Sequence, residues 1–376
     1  MTILLRRALL TALLLSSVTP AYAQLPGKLK QLAGKADDAA DQAKKVKALY
    51  DSLVFTDAEE QQLGADVSAQ LRERYGVVQD KAVHKYVSLV GTVLSQASSR
   101  PALSWQFIVL DTDGVNAYAA PGGFIHITRG ALSLLKSESE LADVLGHEIA
   151  HVTEKHTIKS IQQSKKVELV ADMTRSQVLS AVADKSYEIL FEGAYGRDQE
   201  LDADEKGIAL ANKMGYAPAG LGAFLTRLDE RNKDNPDRNG LFASHPATKE
   251  RIDRLSAQIS SQRLTAIATA AARYRLAITY TPVPVTQITQ LTAGAAGVAG
   301  TTSKTKAADT KTTGSKLGLG KLTALGAEKK STATVASAGA RGGVPDRDAK
   351  GGSNGKAVTI TLTSADVTEF KKGIAG

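Results

Sequence analysis

The sequence predicts a mainly helical α+β domain with a small β-sheet, followed by a disordered basic tail, and three observations carry that prediction. Apolar residues recur at helical spacing through most of Phe55 to Ser261. A stretch of alternating residues between Trp105 and Thr128 interrupts that pattern and reads as short strands. Beyond about Thr281 the composition turns to Thr, Ala, Gly, Ser and Lys with almost no aromatic residue, too little apolar surface to offset chain entropy.

Taken in order, Met1 to Ala23 has the layout of a cleavable secretory signal: Arg6 and Arg7, an apolar run from Ala8 to Val18, then Ala21-Tyr22-Ala23. Gln24 to Val54 reads as an exposed helical arm. Folding is expected to begin at Phe55, where Thr56 and Glu59 form a capping box ahead of Leu63, Val67 and Leu71 and a stop at Gly76. Val83, Val87, Val90 and Leu94 mark a second helix. Trp105, Phe107 and Val109 mark a strand, and two more are expected around Val115 to Ala119 and Phe124 to Thr128, joined through Pro121-Gly122-Gly123. Ser137 and Glu140 cap a helix carrying Leu141, Val144, Leu145 and Val152. Further helices are expected over about Glu188 to Lys213, Ala219 to Arg231 and Ala247 to Ser261, where the domain over residues 55–262 closes. A connecting helix is expected over 263–280, then the tail over 281–376, with one short strand at 357–363.

The formal charge of +8 sits almost wholly beyond Thr301, so contact with an anionic surface would act through the tail and be screened by salt; nothing points to a specific nucleic acid. With no cysteine, a lipidated N-terminal cysteine, disulfides and thiolate metal ligands are excluded. No stretch after the signal is apolar for long enough to span a bilayer, so the mature chain is expected without a transmembrane segment, in the periplasm rather than outside the cell.

The chemistry lies in His147-Glu148-Ile149-Ala150-His151. On a helix, residues four apart share a face about 6 Å apart along the axis, so both imidazoles can turn to one metal ion, expected to be one Zn2+ per chain. Glu148 can take the proton of a water that the metal polarises. A third histidine ten positions after the first, with an intervening glycine, is ruled out because those positions are Thr157 and Glu154. The acidic run Asp198 to Asp204 offers the alternative: Glu200 to the metal, and Asp204, four residues on, to the outer N–H of a ligand imidazole. The same run could instead be a solvated helix face.

Four segments appear in an order that resembles the motifs of the BepA- and HtpX-like zinc metallopeptidases, relatives of the CAAX prenyl protease: Asn116 to Gly123 (NAYAAPGG), His147 to His156 (HEIAHVTEKH), Glu200 to Gly207 (ELDADEKG) and Ser244-His245-Pro246. The resemblance covers roughly Phe55 to Ser261. It implies a gluzincin fold and cleavage of unfolded or misassembled proteins in the cell envelope. It also implies Glu200 as third ligand, Asp204 as its neighbour's support, His245 near the metal as gate or oxyanion donor, and a role at the site for Arg197, although Gly196 stands where the family has serine. Asn116, Ala117 and Tyr118 would lie on an edge strand against the substrate backbone. HtpX-like members carry membrane helices and BepA-like members often carry tetratricopeptide repeats; neither is apparent here.

The remaining histidines read as structural: His84 on the surface, His126 in an ordinary hydrogen bond within a strand, and His156 recurring in the family pattern without a spacing that makes it a ligand. Two rival readings stay open, a zinc-stabilised chaperone or binding module that does not cut, and an amidase acting on cell-wall peptides.

Overall fold

The structure, a computed structural model, describes residues 53–163, 173–192, 195–233, 249–288 and 356–375. The expected signal, the arm up to residue 52, most of the tail, and the Ser244-His245-Pro246 segment lie outside the described residues. Phe55 onward forms one unit of the chain.

Helix α1 (Asp57–Tyr75) starts at the expected capping box: Glu59 Oε2 accepts from the Thr56 N–H at 2.9 Å, and Thr56 Oγ1 accepts from the Glu59 N–H at 3.3 Å. Asp80 caps α2 (Lys81–Ser95) by accepting from the N–H groups of Ala82 and Val83. The sheet follows, from β1 (Gln106–Leu110), β2 (Ala117–Ala120) and β3 (Phe124–Thr128), in the order β1-β3-β2. β1 runs parallel to β3 with Ile108 opposite His126, and β2 antiparallel to it with Tyr118 opposite His126.

Alternation along the strands sorts the sheet's two faces. Ala117, Ala119, Ile125 and Ile127 face the main core with Leu141 and Leu145. Tyr118 and His126 face α1, where Tyr118 meets the Tyr75 hydroxyl at 3.0 Å and His126 meets Ser68 Oγ at 2.9 Å. The turn between β2 and β3 needs its glycine: Gly122 has φ 70°, and a Cβ there would stand 2.5 Å from the Glu60 carbonyl oxygen.

After α3 (Arg129–Leu134), the central helix α4 (Glu138–Thr153) begins where expected, with Ser137 Oγ accepting from the Glu140 N–H at 3.2 Å. It is buried from Glu138 to Val152, flanked by the sheet and by α2, α7 (Arg197–Lys213) and α8 (Gly220–Asn232). Between α4 and α7 run α5 (His156–Gln163) and α6 (Arg175–Glu192). One helix was expected over Glu188 to Lys213; there are two, because Gly196 is extended at ψ 148° and α7 starts afresh with Gln199 Oε1 accepting from the Gly196 N–H. Helix α9 (Lys249–Ser261) lies across α7 and α8.

Two expectations toward the C-terminus are corrected. The connecting helix is only α10 (Ala271–Ala277), because the chain before it is extended: Ala268 bridges Tyr216, and its carbonyl accepts from the Ala217 N–H at 3.0 Å. Residues 357–363 are not a strand, and the tail ends in a docked helix, α11 (Ser364–Ala375). Thr363 and Asp366 form its capping pair at 2.9 and 3.1 Å, Val367 and Ile374 are buried, and the Phe370 ring lies edge-on to Tyr86. A threonine-capped run with apolar residues at 367, 370 and 374 carries a helix signal, but it is diluted by the composition around it.

His84 is likewise corrected: it is buried, with Nε2 bonded to the Val78 carbonyl at 2.8 Å, because α2 is apolar around most of its circumference.

Candidate metal centre

Helix α4 turns His147 and His151 to one point, with their Nε2 atoms 3.0 Å apart. Glu200, one turn into α7, brings Oε1 to 3.4 Å from His151 Nε2 and Oε2 to 3.7 Å from His147 Nε2. Ligands held at about 2.0–2.2 Å in a tetrahedron stand roughly 3.3–3.6 Å from one another, and the three observed separations bracket that range. All three residues are buried. Two imidazoles and a carboxylate suit zinc, so the donors present fit such an ion.

Asp204 Oδ1 lies 2.9 Å from His147 Nδ1, which would fix that ring by its outer nitrogen. Arg251, a buried residue of α9, spans both carboxylates. Its Nε and Nη2 donate to Asp204 at 2.7 and 2.6 Å, and its Nη1 lies 2.7 Å from Glu200 Oε2. Burial by itself would push the Asp204 carboxyl up, but Arg251, helped by His147, outweighs it and holds that carboxyl below its ordinary value. Burial likewise works against the Arg251 charge, and Asp204, Glu200 and Glu148 together raise its pKa despite it.

Glu148 is buried, and the Tyr195 hydroxyl beside it is pushed up by burial first and by the Glu148 and Glu200 charges after it, against the pull of Thr157. Tyr195 stacks on the His151 ring with centroids 4.0 Å apart, its hydroxyl 2.8 Å from Thr157 Oγ1. His156 Nδ1 lies 3.0 Å from His151 Nδ1; burial pushes His156 down to about 4, although Asp202 pulls the other way.

Of the residues singled out in the sequence, the structure gathers His147, Glu148, His151, Glu200 and Asp204. Arg197 is not brought there: its side chain is 60% exposed and its guanidinium holds Glu250 at the start of α9, while Gly196 leaves it at the open first turn of α7. His245 lies outside the described residues. Asn116, Ala117 and Tyr118 do sit at or beside an edge strand, but their side chains are buried. Asn116 Oδ1 accepts from the Ala117 N–H, Ala117 faces the core and Tyr118 faces α1. Arg251 was missed in the sequence. Its one signal is a fixed charge four residues before Leu255, on the helix face that packs inward.

Residues 81–259 match the family model described as peptidase family M48. Among curated relatives, the chain is 23% identical over 206 residues to a beta-barrel assembly-enhancing protease of Escherichia coli (strain K12), covering 52% of this chain and 42% of that protein. It is 25% identical over 202 residues to mitochondrial metalloendopeptidase OMA1 of Schizosaccharomyces pombe (52% and 60%). It is 30% identical over 157 residues to metalloprotease YcaL of Escherichia coli (strain K12) (40% and 60%). The chain thus spans between two fifths and three fifths of the length of these relatives. The two imidazoles and the carboxylate converge inside the matched segment, so residues 81–259 are similar to peptidase family M48 and carry a candidate metal centre.

Proposed function

We propose that this chain is a zinc-dependent endopeptidase of the cell envelope that cleaves unfolded or misassembled proteins, with His147, His151 and Glu200 holding one zinc ion and Glu148 as general base. The observation that carries the reading is the approach of His147 Nε2, His151 Nε2 and the Glu200 carboxylate to within 3.0–3.7 Å of one another. Zinc, when bound, supplies a Lewis acid that polarises a peptide carbonyl and acidifies water. Glu148 then takes a proton from the attacking water at its carboxylate and hands it to the amide nitrogen as the C–N bond breaks. Asp204 and Arg251 keep the histidine and carboxylate ligands in place. His245 stands as the candidate oxyanion donor or gate. An extended substrate pairs with the backbone of β2 rather than with the side chains of Asn116, Ala117 and Tyr118.

Export to the periplasm rests on the signal-like Met1 to Ala23, and among the described residues no helix is long and apolar enough to cross a membrane. The beta-barrel assembly-enhancing protease among the relatives supports misassembled proteins as substrates. The test is zinc content with casein hydrolysis on the mature protein and on Glu148→Gln and His245→Ala. One zinc per chain, with cleavage lost in Glu148→Gln and altered in His245→Ala, is expected. Bound zinc without cleavage in any form would replace this reading by a zinc-stabilised binding module, and undiminished cleavage by Glu148→Gln would overturn the assigned base.

A further inference from the structure

The two ligand histidines are supported differently. His147 has a carboxylate at its outer nitrogen; His151 has another imidazole, with His156 Nδ1 at 3.0 Å from its Nδ1. The far nitrogen of His156, Nε2, lies 3.3 Å from Asp202 Oδ2, and Lys206 Nζ holds Asp202 at 2.9 Å. His156 is buried and Asp202 is partly exposed, so the row runs from the site's interior to its rim.

The backbone is shaped to make this contact. On an uninterrupted helix, His156 would point about 140° around the axis from His151, away from it. Instead α4 ends at Thr153, and Lys155 takes a left-handed conformation with φ 57°, unusual for a residue with a Cβ. That turn brings His156 back over His151 as the first residue of α5. It is held from both sides. The Lys155 ammonium pairs with buried Glu60, which also holds Arg100 at 2.8 Å, while Gln199 Nε2 donates to the His156 carbonyl at 3.2 Å.

We propose that Asp202, His156 and His151 form a relay in which His156 is a positioning residue for the metal ligand, keeping the proton of His151 on Nδ1 and its Nε2 lone pair aimed at the ion. The chemistry leaves one arrangement. An imidazole that binds metal through Nε2 carries its proton on Nδ1 and donates it. His156 must then accept at Nδ1, so its own proton sits on Nε2 and is donated to Asp202. Tyr195, stacked on the His151 ring, limits its rotation without contributing a proton. The relay rests on the reading of His147, His151 and Glu200 as zinc ligands, and its test separates the two.

The full-length protein is compared with His156→Phe, His156→Gln, Asp202→Asn and His151→Ala, measuring zinc stoichiometry, zinc affinity by chelator competition and melting of the metal-free forms. His156→Phe is expected to weaken zinc binding by about 10- to 100-fold. His156→Gln, which keeps an acceptor, recovers part of that loss. Asp202→Asn gives a smaller weakening that disappears in the His156→Phe background. In the zinc-loaded wild type, 15N–1H correlation spectra should show the proton of His151 on Nδ1 and that of His156 on Nε2. Wild-type affinity in His156→Phe and Asp202→Asn, or a His156 proton on Nδ1, overturns the relay. Should His156→Phe fail to fold, Asp202→Asn and the wild-type spectrum decide. Absence of zinc from the wild type, or its retention by His151→Ala, instead overturns the ligand assignment and the relay's purpose with it.

Discussion

Gly146 of α4 and Gly207 of α7 cross so closely that a Cβ on Gly146 would stand 2.6 Å from the Gly207 carbonyl oxygen, and one on Gly207 would stand 2.5 Å from the His147 amide nitrogen. This backbone-to-backbone crossing lies beside the metal centre and brings Glu200 and Asp204 within reach of the two histidines.

Gly207→Ala should therefore force the helices apart, lowering stability by at least about 1–3 kcal/mol, as overpacking does. Zinc affinity should fall with it. Gly222→Ala in α8, where a Cβ meets nothing within 4 Å, serves as the control and should be neutral or stabilising by up to about 1 kcal/mol. Urea unfolding and chelator competition on both variants check this; equal behaviour would mean that the crossing does not set the site.

Arg251 neutralises two buried carboxylates, so Arg251→Met leaves Glu200 and Asp204 without their guanidinium. The metal-free protein should lose about 3–5 kcal/mol. Zinc supplies positive charge to the same carboxylates, so it should raise the melting temperature of Arg251→Met more than that of the wild type. Equal increments on adding zinc would show that the guanidinium and the ion do not share this role.

Glu138, the first residue of α4, accepts from the Tyr86 and Tyr216 hydroxyls at 2.7 Å each and from Arg273. The Arg273 guanidinium lies 4.2 Å from the centre of the Phe370 ring. Ending the chain at residue 355 removes that cover together with buried Val367 and Ile374. At about 1.5–3 kcal/mol per buried apolar side chain, several kcal/mol of stability should go. Urea unfolding of the shortened chain reads this directly, and wild-type stability would mean that α11 adds nothing to the domain.

His126 is fully buried beside Arg72, and its pKa is pushed down to about 3 by burial first and by that charge second. The unfolded chain takes up a proton below about pH 6.5 while the native state does not. This contribution to stability is therefore complete above pH 6.5 and declines by about 1.4 kcal/mol per pH unit as the pH falls toward 3. His126→Gln, measured metal-free with a chelator present, should show a shallower loss between pH 7.5 and pH 5. An unchanged slope would assign the acid sensitivity elsewhere.

Several elements were legible in the sequence because their signals are local. Thr56 with Glu59 and Ser137 with Glu140 lie within one helical turn, as do His147 and His151, and Glu200 and Asp204. Each pair shares a helix face by spacing alone. Composition could also mark the low-complexity stretch, but it obscured α11, whose capping pair and three apolar residues occupy only one short segment.

The amino-acid sequence by itself determined the helix that carries the histidines, its starting cap, the donor types at the site and the small sheet beside it. Only the tertiary structure decided that Arg251 reaches Glu200 and Asp204 from α9, that the turn at Lys155 returns His156 to His151, and that Arg197 serves Glu250 instead of the site. The physical reason is that periodicity and capping report which face of an element a residue occupies, whereas these contacts depend on how closely and at what angle separate elements cross. Here the crossing of Gly146 over Gly207 and the left-handed residue at Lys155 set those angles.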